Sequence, residues 1–266
     1  MRKRLLGSLI AMVLLPMQGL AAISNATLED FELALWKVRS DFHMLTVMAG
    51  SKTYISNLDG AITRAQSGMD TLRRDAEGSE ERKLVADLTR HWDIFKPAAQ
   101  GNTMAEQGFT RTYTIQDVNE TAAEMSQRIE SFSGATEGEY DDVRALSAYL
   151  QRMTSEYLNV AADPGGGMAS GADVNRIEFK DAVPNFEGML AAAKKNHADD
   201  EALSRALNQT GVKWMFIRES MVKFYENAVP YLIYRYTNQM VETMSQAINL
   251  ASTDVEIEKP SFGPVE

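Results

Sequence analysis

No cysteine occurs in this chain. That excludes a disulfide framework, thiolate metal ligation, haem attachment through C-x-x-C-H and a cysteine nucleophile. Histidine is almost as scarce: His43, His91 and His197 lie far apart, with no partner at ligand spacing. G-x-S-x-G, the P-loop, H-E-x-x-H and the dinucleotide-binding fingerprint are all missing. Gly165-Gly166-Gly167 follows a proline and has no lysine to hold a phosphate, so it reads as a connector. Positive charge is in deficit, with a net charge of −10. That argues against nucleic acid as a partner and against electrostatic docking on anionic lipid. Proline and glycine are few, seven and seventeen in 266 residues, and their clustering leaves long stretches free of helix breakers.

What is present begins with a segment unlike the rest. Arg2, Lys3 and Arg4 precede an almost wholly apolar run from Leu5 to Leu15. Pro16 breaks that run, and Gly19-Leu20-Ala21 offers small residues at −3 and −1 of a cut after Ala21. Residues 1–21 therefore read as a cleavable signal peptide, too short in its apolar run to span a bilayer comfortably. No lipobox cysteine is present after it. Cleavage removes three positive charges and takes the net charge to −13. No later stretch has 18 uninterrupted apolar residues, so no membrane insertion is expected after cleavage. A product held by packing alone, without disulfides, fits a bacterial periplasm.

Helical periodicity dominates the rest of the chain. Leu28, Phe31, Leu35, Val38, Phe42, Leu45 and Met48 step by three and four and predict a helix over 27–58, with an interruption at Gly60. Further helices are expected over 61–77, from Ser79 to Pro97, over 103–132, 137–162, 173–196 and 199–209, with Gly211 as punctuation. Residues 212–251 complete the set, kinked or split at Pro230. Tyr231 to Tyr236 is aromatic enough for a strand, but its helical setting favours helix. The fold class expected is all-α.

One pattern recurs. Asn119 to Gln127 and Asn238 to Gln246 both read N-x5-M-S-Q. Trp92 precedes the first copy and Trp214 the second, each followed by an aromatic and a basic residue. Arg73-Arg74 corresponds to Lys194-Lys195, and His43-Met44-Leu45-Thr46 can be laid on Arg152-Met153-Thr154-Ser155. These matches predict tandem antiparallel helical bundles, a first module over 22–135 and a second over 136–252, with a flexible tail over 253–266.

Candidate chemistry is sparse. Glu29-Asp30, Glu80-Glu81, Asp141-Asp142 and Asp199-Asp200 sit near helix starts, where acids complement the helix dipole. Trp36, Trp92 and Trp214 lie on apolar faces and read as core. A bundle with His and Met can hold haem; the fifteen methionines read instead as fillers of helical cores. Neither an enzyme nor a cofactor is expected. Arg39 and Arg152 are more informative, each near methionine and hydroxyl residues on a first helix. Such an arginine either binds a small anion bidentately at a bundle seam or lies over apolar neighbours with its charge in water.

Gln151-Arg152-Met153-Thr154-Ser155-Glu156-Tyr157-Leu158 resembles the first-helix motif of the PilJ/NarX-type sensor module. That module is the N-terminal domain of type IV pili methyl-accepting chemotaxis transducers and of nitrate/nitrite sensor kinases. Trp214-Met-Phe216-Ile217, Tyr225 to Pro230 and Arg235-Tyr236 resemble exported stand-alone members. The resemblance covers most of 140–250 and, more faintly, 27–131. It implies four-helix modules in tandem and an anion held by a first-helix arginine. The motif's second arginine falls on Arg152, its first on Leu150, and the region around Asp41-Phe42-His43-Met44 lacks the arginine pair.

The function expected is a periplasmic, non-enzymatic sensory or ligand-binding accessory protein. The ligand-binding candidates are Arg152, Met153, Ser155 and Arg39. The partners expected are a small anionic ligand and a membrane receptor or pilus-related protein, with a homodimer allowed. The alternative is a structural or assembly protein of the envelope acting through an exposed aromatic patch, with Tyr231, Tyr234 and Tyr236 as its candidates.

Overall fold

The structure, a computed structural model, describes residues 23–163 and 177–258. The proposed signal peptide, most of the glycine-rich connector and the end of the tail lie outside the described residues. Among those described, all regular structure is helical: α1 (Asn25–Val47), α2 (Lys52–Asp75), α3 (Ser79–Gln100), the single turn α4 (Met104–Gln107), α5 (Thr112–Glu130), α6 (Asp141–Ala162), α7 (Phe179–Asn196), α8 (Glu201–Val222) and α9 (Pro230–Glu258). No helix among them is long and apolar enough to cross a membrane.

The helix starts reflect local chemistry. Ser24 Oγ accepts the Thr27 N–H at 3.1 Å and caps α1. The backbone of Ile23 and Asn25 pairs with Thr136, fixing the entry to α1 against the segment that leads into α6. Glu81 turns back to accept from the N–H groups of Gly78, Glu77 and Ile23 at 2.8, 2.9 and 3.2 Å. These backbone donors hold its carboxyl below the usual range. Asp200 caps α8 by accepting from Leu203 N–H. Pro230 opens α9, where its missing N–H has no partner to lose.

Three expected boundaries move. The helix expected over 27–58 breaks at 48–51, not at Gly60, which lies inside α2. Ala49 and Gly50 take φ of 49° and 77° there, and a Cβ on Gly50 would come 2.5 Å from Ala105 Cα. The turn therefore needs a left-handed residue without a side chain, whereas Gly60 costs its helix only about 1 kcal/mol. The helix expected over 103–132 is cut by Gly108, at φ 74°, into α4 and α5. Gly211 does not punctuate; α8 runs through it to Val222. The segment 231–236 is helical, as its setting predicts.

The described helices gather around two apolar cores. One draws mainly on α1, α2, α3 and α5, with Leu158 and Tyr234 added from the second half. The other draws on α6, α7, α8 and α9. The most extensive helix contact joins them, α1 lying along α6. Asp30 meets Arg144 and Ser40 meets Gln151, so α1 and α6 run parallel.

The halves correspond in detail. Trp92 Nε1 donates to Gln66 Oε1 at 3.0 Å, and Lys96 reaches the same oxygen at 2.8 Å. Trp214 Nε1 donates to Glu187 Oε1 at 3.0 Å, and Arg218 reaches that oxygen at 3.3 Å. Buried positions Leu84, Val85, Leu88, Trp92, Phe95 and Ala99 of α3 repeat in spacing at Ala206, Leu207, Thr210, Trp214, Ile217 and Met221 of α8. On the first helices, Leu28, Phe31, Leu35, Val38 and Phe42 repeat at Val143, Leu146, Leu150, Met153 and Tyr157. This register makes Lys37, not His43, the counterpart of Arg152.

Candidate functional site

Because α1 is packed on one side by its own bundle and on the other by α6, its residues Val38 to Leu45 are buried on every face. The same holds for Met153 to Asn159 of α6. Polar side chains caught there must satisfy one another. Arg39 does so completely: Nε donates to Asn119 Oδ1 at 2.7 Å, Nη1 to Ser155 Oγ at 3.1 Å and Nη2 to Glu156 Oε2 at 2.9 Å. His43 Nε2 lies 2.8 Å from the same Asn119 oxygen. Burial, and then the Arg39 charge, push the imidazole pKa down to about 3, so it is neutral and donates that bond. Asn119 Nδ2 passes the chain on to Asn159 Oδ1 at 3.1 Å. The asparagine of the first N-x5-M-S-Q is thus the hub of a polar seam between α1, α5 and α6.

A second polar group lies a turn away. Asp41 accepts from the Tyr234 hydroxyl at 2.7 Å and from Lys37. Its other oxygen, Oδ2, is buried without a partner. Burial drives the Lys37 ammonium pKa down, partly offset by Asp41, and the Arg64 charge lowers it further. Burial and the Asp41 carboxylate raise that of the Tyr234 phenol.

Beside this group α1, α2, α6 and α9 enclose an open cleft of about 650 Å³. Lys37, Arg64, Gln151 and Asn238 line it, with Arg144 and Glu242 further along. Arg144 is held by Asp30 at 2.6 Å. Arg64 is exposed and makes no ion pair among the described residues. Three cations, of which Arg64 alone makes no ion pair among the described residues, therefore stand on one cleft with two amide groups.

The four residues expected to bind a ligand fall in different places. Arg39 and Ser155 belong to the buried seam and bond to each other. Met153 is wholly buried in the second core. Arg152 is on the outer side of α6, paired with Glu130, its guanidinium 5.4 Å from the Trp36 ring. Arg39 stands at 5.6 Å from the same ring, so both arginines lie against Trp36. None of the four lines the cleft. Of the proposed tyrosine patch, Tyr231 is exposed, but Tyr234 is buried in the first core with its hydroxyl donating to Asp41. Sequence reasoning passed over Lys37 and Arg64. No local pattern in the sequence marks either of them.

No group of three or more His, Asp or Glu side chains among the described residues is arranged to hold a metal ion. Compared with known proteins, the chain matches no family model, no curated protein and no solved structure.

Proposed function

We propose that this chain is a non-enzymatic ligand-binding or sensory accessory protein of the bacterial periplasm, taking a small anion between its helices. The observation that carries the reading is the cleft beside the central helix pair, where Lys37 and the unpaired Arg64 converge with Asn238 and Gln151. An anion there relieves the repulsion between the two cations, which already lowers the Lys37 pKa. The Arg64 guanidinium and the Asn238 amide supply directional donors for a carboxylate or oxyanion. The site differs from the one implied by the sequence resemblance to PilJ/NarX-type modules, whose arginine falls on Arg152, because Arg152 lies outside the cleft and is paired with Glu130.

The cleft walls include both α1 and α9, which belong to different cores. A bound ligand that draws them together shifts α1 against α6, and a membrane partner reads that displacement. Export rests on the basic and apolar segment at residues 1–21. The test is calorimetric titration with nitrate, nitrite and small carboxylates, with thermal shift in parallel. Heat of binding lost in Arg64→Gln supports the reading; no heat and no shift with any of them overturns it.

A second reading has its own observation. The α8 to α9 region exposes Met215, Phe216, Val222, Tyr225, Tyr231 and Leu232, with Phe216 stacked on Tyr236 at 6.0 Å. Exposed aromatic surface of this kind suits protein contact, as an envelope assembly protein needs. A partner retained by the wild type and released by Phe216→Ser, without any ligand effect, favours it.

A further inference from the structure

Gln151 is 1% exposed, and only half of its amide is used. Nε2 donates to Ser40 Oγ at 2.7 Å, while Oε1 meets no donor. A buried carbonyl oxygen left unmet is destabilising, and this one belongs to a residue that lines the cleft. A difference between the two halves creates the situation. In the register that sets Leu35 against Leu150, Gln151 is the counterpart of Trp36. Trp36 fills its side of the α1–α6 pair, its indole donating to Glu32 at 3.1 Å and its ring meeting both Arg39 and Arg152. Gln151 puts an amide where the other half has a bicyclic ring, and the cleft lies beside it.

We propose that the ligand of this cleft is a small carboxylate that also carries an N–H or O–H donor, the class of free amino and hydroxy acids. Its carboxylate lies between Lys37 and Arg64, and its donor meets Gln151 Oε1. Glu242, about one turn along α9 from Asn238, gives an ammonium group a second acceptor. Asp30 is already engaged by Arg144. An anion without a donor, such as nitrate or acetate, satisfies the cations but leaves the Gln151 oxygen bare. The inference rests on the anion-binding reading and specifies the ligand for that same cleft.

The experiment is calorimetry on the full chain with L-alanine, L-lactate, acetate and nitrate. Alanine and lactate are expected to bind about tenfold or more tighter than acetate, the worth of one buried hydrogen bond to a group otherwise unmet. Gln151→Leu should bring alanine and lactate to the level of acetate. Should that variant melt early through loss of the Ser40 bond, Gln151→Glu serves instead. It keeps the acceptor oxygens, so it should weaken acetate while sparing alanine. Arg64→Gln, at an exposed position, should weaken all three carboxylates. Equal affinity for all four probes overturns the donor assignment and leaves the anion-binding reading standing. No binding by any overturns both. A preference for alanine and lactate that survives in Gln151→Leu and is unchanged in Gln151→Glu overturns the role of Gln151.

Discussion

Arg39→Met removes the charge at the centre of the seam while keeping an unbranched side chain of similar reach. Arg39 and Glu156 have side chains only 3% and 5% exposed, so water cannot replace the lost partner. Breaking a buried pair from one side costs about 3–5 kcal/mol, because the remaining charge stays desolvated. Ser155 loses its donor as well, while Asn119 Oδ1 still accepts from His43. At roughly 2–4 °C per kcal/mol for a protein of this size class, the melting temperature should fall by about 6–20 °C. Thermal and urea unfolding followed by far-ultraviolet circular dichroism measure it. A loss below about 1 kcal/mol in this variant, the value of a solvated surface pair, would refute the account.

Other consequences can be checked alongside. Glu29 has its carboxyl pKa raised from 4.5 to about 8, by burial first and then by Glu32, Asp141, Asp30 and Glu130. The folded state therefore holds a proton that the unfolded state releases between those values. Stability should decline as pH rises from about 4.5 to 8, and Glu29→Gln should flatten that slope in urea melts. Gly50→Ala places a Cβ 2.5 Å from Ala105 Cα at φ 77°, and should destabilise by at least about 1–3 kcal/mol in the same assay. Trp92→Ala empties a fully buried site and should cost about 3–5 kcal/mol. Trp92→Phe leaves Gln66 bonded to Lys96 and should cost distinctly less.

The all-helical architecture was legible because apolar steps of three and four are a property of the sequence itself. The matching of Trp92 with Trp214 was legible for the same reason, and both indoles donate to a side-chain oxygen on the preceding helix. Helix ends at 48–51 and 108 were not, because a glycine in a helical pattern reads alike whether it stays helical, as Gly60 does, or turns left-handed, as Gly50 does. What decides is the backbone of Ala105, distant in sequence. The site was less legible still. Arg39 and Arg152 look alike in sequence, yet one is sealed between central helices and the other lies outside. That distinction depends on α1 lying along α6, which no local pattern contains. Lys37 and Arg64 meet through the pairing of α1, α2 and α9, and neither has a neighbour in sequence that announces a site.

The parallel course of α1 and α6 also constrains the order of assembly. Parallel neighbours cannot be joined by a short turn, and the whole excursion from α2 to α5 intervenes. As the chain emerges, the first half gathers its core while the outer face of α1 waits for its partner. That face carries Arg39, Ser40 and Asp41, which hydrate readily, so the waiting half is wet where a purely apolar face would be sticky. Docking of α6 seals that hydrated face, and the seam it forms joins the two cores. Cutting the chain near residue 136 should yield a first half that keeps its helices but loses the sharp unfolding transition of the whole.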